Sequence, residues 1–127
     1  MTMIFEDLES WQKAREMVRK IYELTRRELL CRDFGICGQL QRAAVSIMSN
    51  VAEGFERAHV PEKLQFYNVA RGSAAEVRSL FYVVEDNYPA ARPETVALRN
   101  EAIAVGKLVS GLIRSTEKRK VRRRVLS

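Results

Sequence analysis

Histidine is the scarcest functional group in this sequence. There is one, His59, beside two cysteines, one tryptophan and three prolines in 127 residues. His59 stands just ahead of Val60-Pro61, so neither a Ser-His-Asp triad nor a Cys-His pair has a prepared setting. Cys31 and Cys37 are separated by five residues, with no second pair, which is not a zinc pattern. There is no Glu-x-x-His repeat of the di-iron bundle kind. Gly35-Ile36-Cys37-Gly38 lacks the lysine and the preceding strand of a phosphate-binding loop. These gaps weigh against an enzyme, and neither a cofactor nor a metal is expected. No stretch approaches the roughly 18 apolar residues of a membrane span. The acidic start, Glu6, Asp7 and Glu9, does not read as a signal peptide. The expectation is a cytoplasmic chain with reduced thiols and no membrane partner.

What is present is a well-mixed globular composition, 46% hydrophobic and 30% charged, which excludes a disordered chain. The length suits one domain. The net charge of +6 comes from 22 basic and 16 acidic residues, and its distribution is uneven. Residues 114–127 hold Arg114, Lys118, Arg119, Lys120, Arg122, Arg123 and Arg124 against the single acid Glu117. The remaining basic and acidic residues balance. A four-helix body over 1–116, neutral through residue 113, followed by a basic tail over 117–127 is the expected organisation.

Hydrophobic periodicity decides the fold class. Ile4, Leu8, Trp11, Arg15, Val18, Tyr22, Thr25 and Leu29 follow a four-three spacing, with Ala14, Met17, Ile21 and Leu24 beside them. Arg32-Asp33-Phe34-Gly35 interrupts that run with turn chemistry. Ile36, Leu40, Ala43, Ile47, Asn50 and Gly54 form a second file, which ends near Pro61. Proline suits the first turn of the next helix. Tyr67, Ala70, Ala74, Val77, Phe81 and Val84 form a third, flanked by Phe66, Val69, Ser73, Leu80 and Val83. Tyr88-Pro89 stops it, and Pro93-Glu94 opens a fourth, with Leu98, Ala102, Val105, Val109 and Leu112 as its stripe. No segment alternates with period two. The pattern predicts an all-α, up-down four-helix bundle. Three helices are apolar over more than one stripe, which points to a homo-oligomer, or else thickens a single core.

Several segments resemble the four-helix-bundle family of 23S rRNA intervening-sequence proteins. They are Phe5-Glu6-Asp7-Leu8, Trp11-Gln12-Lys13-Ala14, Ile21-Tyr22-Glu23-Leu24-Thr25, Gln39, Arg42-Ala43-Ala44-Val45-Ser46-Ile47, Ser49-Asn50-Val51-Ala52-Glu53-Gly54-Phe55, then Phe66, Ala70-Arg71-Gly72-Ser73 and Glu76. The likeness covers about residues 4–113 and departs at Met48, where the family usually has proline, so the second helix is expected to be less kinked. The resemblance implies a homopentamer with a central pore. It extends to the accessory variability determinants of diversity-generating retroelements, basic pentamers that bind nucleic acid and a reverse transcriptase. RNA or DNA, without sequence preference, and a reverse transcriptase are therefore the partners it implies.

Two constellations are candidates for function. The tail packs six cations into residues 118–124. Such density attracts phosphate by charge and counterion release. It has no aromatic residue for base stacking, and in an oligomer a weak contact is multiplied. A solvated terminus, a membrane surface and an acidic protein are the other readings of the same run. Arg42, Ser46, Asn50 and Glu53 recur four, four and three residues apart on the second helix, and Arg71 and Glu76 offer partners on the third. A polar file of this kind is expected to fix helix register; the alternative is a ligand or proton site.

Overall fold

The computed structural model describes residues 2–126, with the backbone alone for 120–124 and 126. Four helices carry the fold: α1 Glu9–Leu24, α2 Phe34–Glu56, α3 Val60–Asn87 and α4 Arg92–Leu126. Short 3-10 turns lie at Phe5–Asp7, Leu30–Arg32 and Pro89–Ala91. Among the described residues there is no strand. Each helix packs on its neighbour in sequence and α4 returns to α1, an arrangement consistent with an up-down bundle. α2 runs unbroken through Met48.

The helix ends follow from local chemistry. Asp33 caps α2, its Oδ1 accepting from the Ile36 N–H at 3.3 Å, and its Oδ2 accepts from the Tyr88 hydroxyl at 2.8 Å. One carboxylate therefore ties the α1–α2 connection to the end of α3. Pro61 occupies the first turn of α3, where its missing N–H has no partner to lose. At the other end of α2, the Lys63 ammonium donates to Phe55 O at 2.6 Å and Gly54 O at 3.4 Å, serving carbonyls that the helix leaves open. Leu29 has φ 67 and ψ −56, and the Leu30 N–H donates to Glu28 O at 2.8 Å. That is a γ-turn with positive φ, a strained conformation for a leucine.

The core matches the third-helix file residue for residue: Tyr67, Ala70, Ala74, Val77, Phe81 and Val84 are all buried. In α4, Leu98, Ala102, Val105 and Val109 are buried, while Leu112 is half-buried and gives its place to Ile113. The buried seam continues to Thr116, whose hydroxyl donates to Leu112 O at 2.8 Å. Around α1 the expected stripe is buried along one side. Leu8 and Thr25 are buried, Trp11 and Val18 pack against the core, and the flanking Ala14, Met17, Ile21 and Leu24 fill it. Arg15, Tyr22 and Leu29 are exposed, and Arg15 stays outside because burying an unpaired charge is costly. Leu29 also lies beyond the helix, which ends at Leu24.

Candidate nucleic-acid interface

The cationic segment is not a separate appendage to the fourth helix. α4 runs through residues 116 and 117 without a break, so the compositional boundary falls inside a helix. At 35 residues, α4 is seven residues longer than α3, at 28, an excess of about 10 Å. Arg114, Lys118 and Arg119 are exposed on it. The side chains of Lys120, Arg122, Arg123 and Arg124 lie outside the described residues. Arg119 reaches the start of α3 electrostatically. Burial holds the Lys63 ammonium below its ordinary value, and the charge of Arg119 adds to the effect against Glu56. Burial pushes the Tyr67 hydroxyl up to about 12, with Arg119 acting in the opposite sense.

The expected polar file resolves into a smaller unit. The Ser46 and Ser73 hydroxyls meet across the α2–α3 seam at 2.8 Å. Asn50 Nδ2 donates to Ser46 O at 2.8 Å and to Ser46 Oγ at 3.0 Å. Arg42, Glu53, Arg71 and Glu76 are exposed and outside this unit; Arg71 Nη2 donates instead to Asn68 Oδ1 at 2.9 Å. Ser73 is the partner missing from the expected set, concealed as one small residue in an apolar stripe. A few residues away, the ring of Tyr67 lies against Gly54, the last residue of the Ser-Asn-x-Ala-Glu-Gly segment.

A second cluster joins α3 to α4. Arg99 Nε donates to Glu85 Oε1 at 2.8 Å, and the Thr95 hydroxyl donates to the same oxygen at 2.9 Å. The Arg99 guanidinium also stands 4.4 Å from the Tyr82 ring centroid. Burial pushes the Glu85 carboxyl up, but the hydrogen bonds from Arg99 and Thr95 and the charges of Arg99 and Arg92 outweigh it and hold the pKa below its ordinary value. Neither partner stands out in the sequence, because the pair depends on the register of the α3–α4 hairpin. Between α1 and α4 runs an open groove of about 420 Å³ floored by Leu24 and Leu98. Its rim charges are already paired, Lys20 with Glu101 at 2.6 Å and Arg27 with Glu94 at 2.7 Å. Among the described residues no group of three His, Cys, Asp or Glu side chains could hold a metal, and no helix is long and apolar enough to cross a membrane.

The fold defines an all-α four-helix bundle, and known proteins share it. A solved structure of a protein of unknown function from the S23 ribosomal protein family of Bacteroides thetaiotaomicron superposes with a TM-score of 0.74. It is 20% identical in sequence and covers 82% of this chain and 97% of its own, so the likeness is one of fold. The profile of the 23S rRNA-intervening sequence proteins matches residues 6–111, and the chain belongs to that family. No curated protein matches it.

Proposed function

We propose that the chain is a non-catalytic scaffold that binds RNA or DNA phosphates through the C-terminal part of α4 and assembles as a homopentamer. The observation that carries this reading is the length of α4. It takes exposed Arg114, Lys118 and Arg119 to the far end of the bundle and continues helical to Leu126, through a segment with six cations in seven residues. Contacts of this kind position a phosphate backbone without reading its bases. Assembly draws support from the family resemblance and from apolar side chains left at the surface: Val45, Val69, Tyr82 and Val83 are between 38% and 51% exposed. Likeness to the accessory variability determinants adds a reverse transcriptase as the protein that would use the bound nucleic acid. The same exposed valines favour a second reading, a self-assembling module with a protein partner and no nucleic-acid role.

Binding of single- and double-stranded RNA and DNA separates the two. The comparison is between the intact chain and a full-length variant in which Lys118, Arg119, Lys120, Arg122, Arg123 and Arg124 are replaced by glutamine. The scaffold reading predicts affinity that falls steeply with salt and is lost in the variant. Equal binding by both forms contradicts the assignment to α4, and absence of binding by both favours the second reading. Native mass spectrometry of the intact chain tests the pentamer.

A further inference from the structure

We propose that the outer seam between α3 and α4 is a phosphodiester track that leads into the basic end of α4. The proposal rests on the nucleic-acid reading above and extends the contact onto the bundle itself. The face is defined by contacts. Tyr82 and Glu85 touch Arg99, so their file on α3 borders α4. Stepping back along that file by three or four residues gives Arg78, Ala75, Arg71 and Asn68. On α4, Gly106 lies against α3, where an added Cβ would stand 3.9 Å from Ala74 Cβ. Lys107 is the next residue outward, Arg114 lies seven residues on and Lys118 four further, all on one file.

The two files interleave. With Arg99 level with Glu85, and Gly106 level with Ala74, the antiparallel register places the cations in the order Arg78, Lys107, Arg71, Arg114, Lys118. They span about 22 Å at ~1.5 Å per residue, room for a short run of phosphates on one strand. All five side chains are exposed. Among the described residues none of the five forms an ion pair within 4.0 Å, whereas Lys13, Arg19 and Lys20 of α1 and Arg27 just beyond its end do. The neutrality of the body is thus an average: ion pairs gather on α1 and its seam with α4, while among the described residues Arg71, Arg78 and Lys107 stand outside them on the α3–α4 side, as Arg15, Arg42 and Arg57 do elsewhere. The acids bordering the track stand at its ends, Glu117 at one and Glu85 with Asp86 at the other, with Glu85 already engaged by Arg99.

The test uses the full-length chain and a short oligouridylate as probe. A seam variant carries Arg71→Gln, Arg78→Gln and Lys107→Gln. A charge-matched control carries Arg15→Gln and Arg19→Gln on α1, which packs on α2 and α4, and Arg26→Gln just beyond its end. The measured quantity is the slope of log K against log salt concentration. At about 0.7 per phosphate contact with a single strand, the seam variant is expected to lower the slope by about 2, while the control leaves it unchanged. Lys107→Gln alone is expected to lower it by about 0.7. Equal slopes for the two triple variants, beside a binding intact chain, overturn the track and leave the role of the α4 end standing. An intact chain that binds no probe overturns both.

Discussion

Gly54 and Tyr67 are in direct contact across the α2–α3 seam. A Cβ at position 54 would lie 2.6 Å from Cε1 and 2.8 Å from Cδ1 of the tyrosine, and 3.1 Å from Cβ of Phe66. Tyr67 is 1% exposed and has no room to retreat. The glycine is therefore required by close approach, although its helical position would otherwise favour alanine. Gly54→Ala is expected to destabilise the fold by about 1–2 kcal/mol, the clash outweighing a helix-propensity gain of about 1 kcal/mol. Urea unfolding in a double-mutant cycle with Tyr67→Leu checks it: the penalty should shrink when the ring is gone, and an unchanged penalty would place the strain elsewhere.

The Ser46–Ser73 bond sits on the same seam. Removing one hydroxyl leaves the other short of a partner across the seam, so Ser73→Ala alone should cost about 1 kcal/mol. Ser46→Ala with Ser73→Ala should cost less than the sum of the single changes, as replacing both partners does. Additive losses would show that the two hydroxyls are not coupled.

Glu85 supplies a pH dependence with a definite sign. Its carboxyl is held below the ordinary glutamate value of 4.5 by Arg99 and Thr95 against the effect of burial. A depressed folded-state pKa contributes stability above the unfolded value, and that stability is lost as pH falls through the folded one. Thermal melts should show the intact chain losing stability on acidification below about pH 4.5. Glu85→Gln should be less stable at neutral pH and flatter across the acid range. A variant with the same acid slope as the intact chain would mean that other carboxylates carry it.

Leu29 is strained and 66% exposed, so replacing it forfeits little packing. Leu29→Gly is expected to stabilise the chain by roughly 0.5–1 kcal/mol, since the positive φ costs a leucine about 1–2 kcal/mol and the added chain entropy of glycine offsets part of the gain. Chemical denaturation measures the difference directly, and a loss of stability would point to an unrecognised contact of the leucine side chain.

Much of the fold was legible because its signals agree. The core file of α3 contains no charge, and Pro61 and Pro89 punctuate both its ends. On α1 the stripe was read too wide: Ala14, Met17, Ile21 and Leu24 are buried while Arg15 and Tyr22 are exposed, because the side that faces the bundle is set by its neighbours. The interhelical polar contacts were the least legible. Ser73 reads as a small residue in an apolar stripe, and Glu85 and Arg99 meet through hairpin register. The cations of the α3–α4 seam were hidden for a different reason. Charge counted along the chain assigns Arg71, Arg78 and Lys107 to a neutral segment, whereas packing separates them from the acids that balance them.

The contact of the α4 end with phosphate is tested most directly by the salt dependence of RNA binding. The slope of log K against log salt concentration is measured for the intact chain and for the variant neutralised at 118–124. The intact chain should give a steep negative slope, and the variant should lose up to about 0.7 for each of its missing cations that meets a phosphate. The same slope and affinity for both would contradict the account.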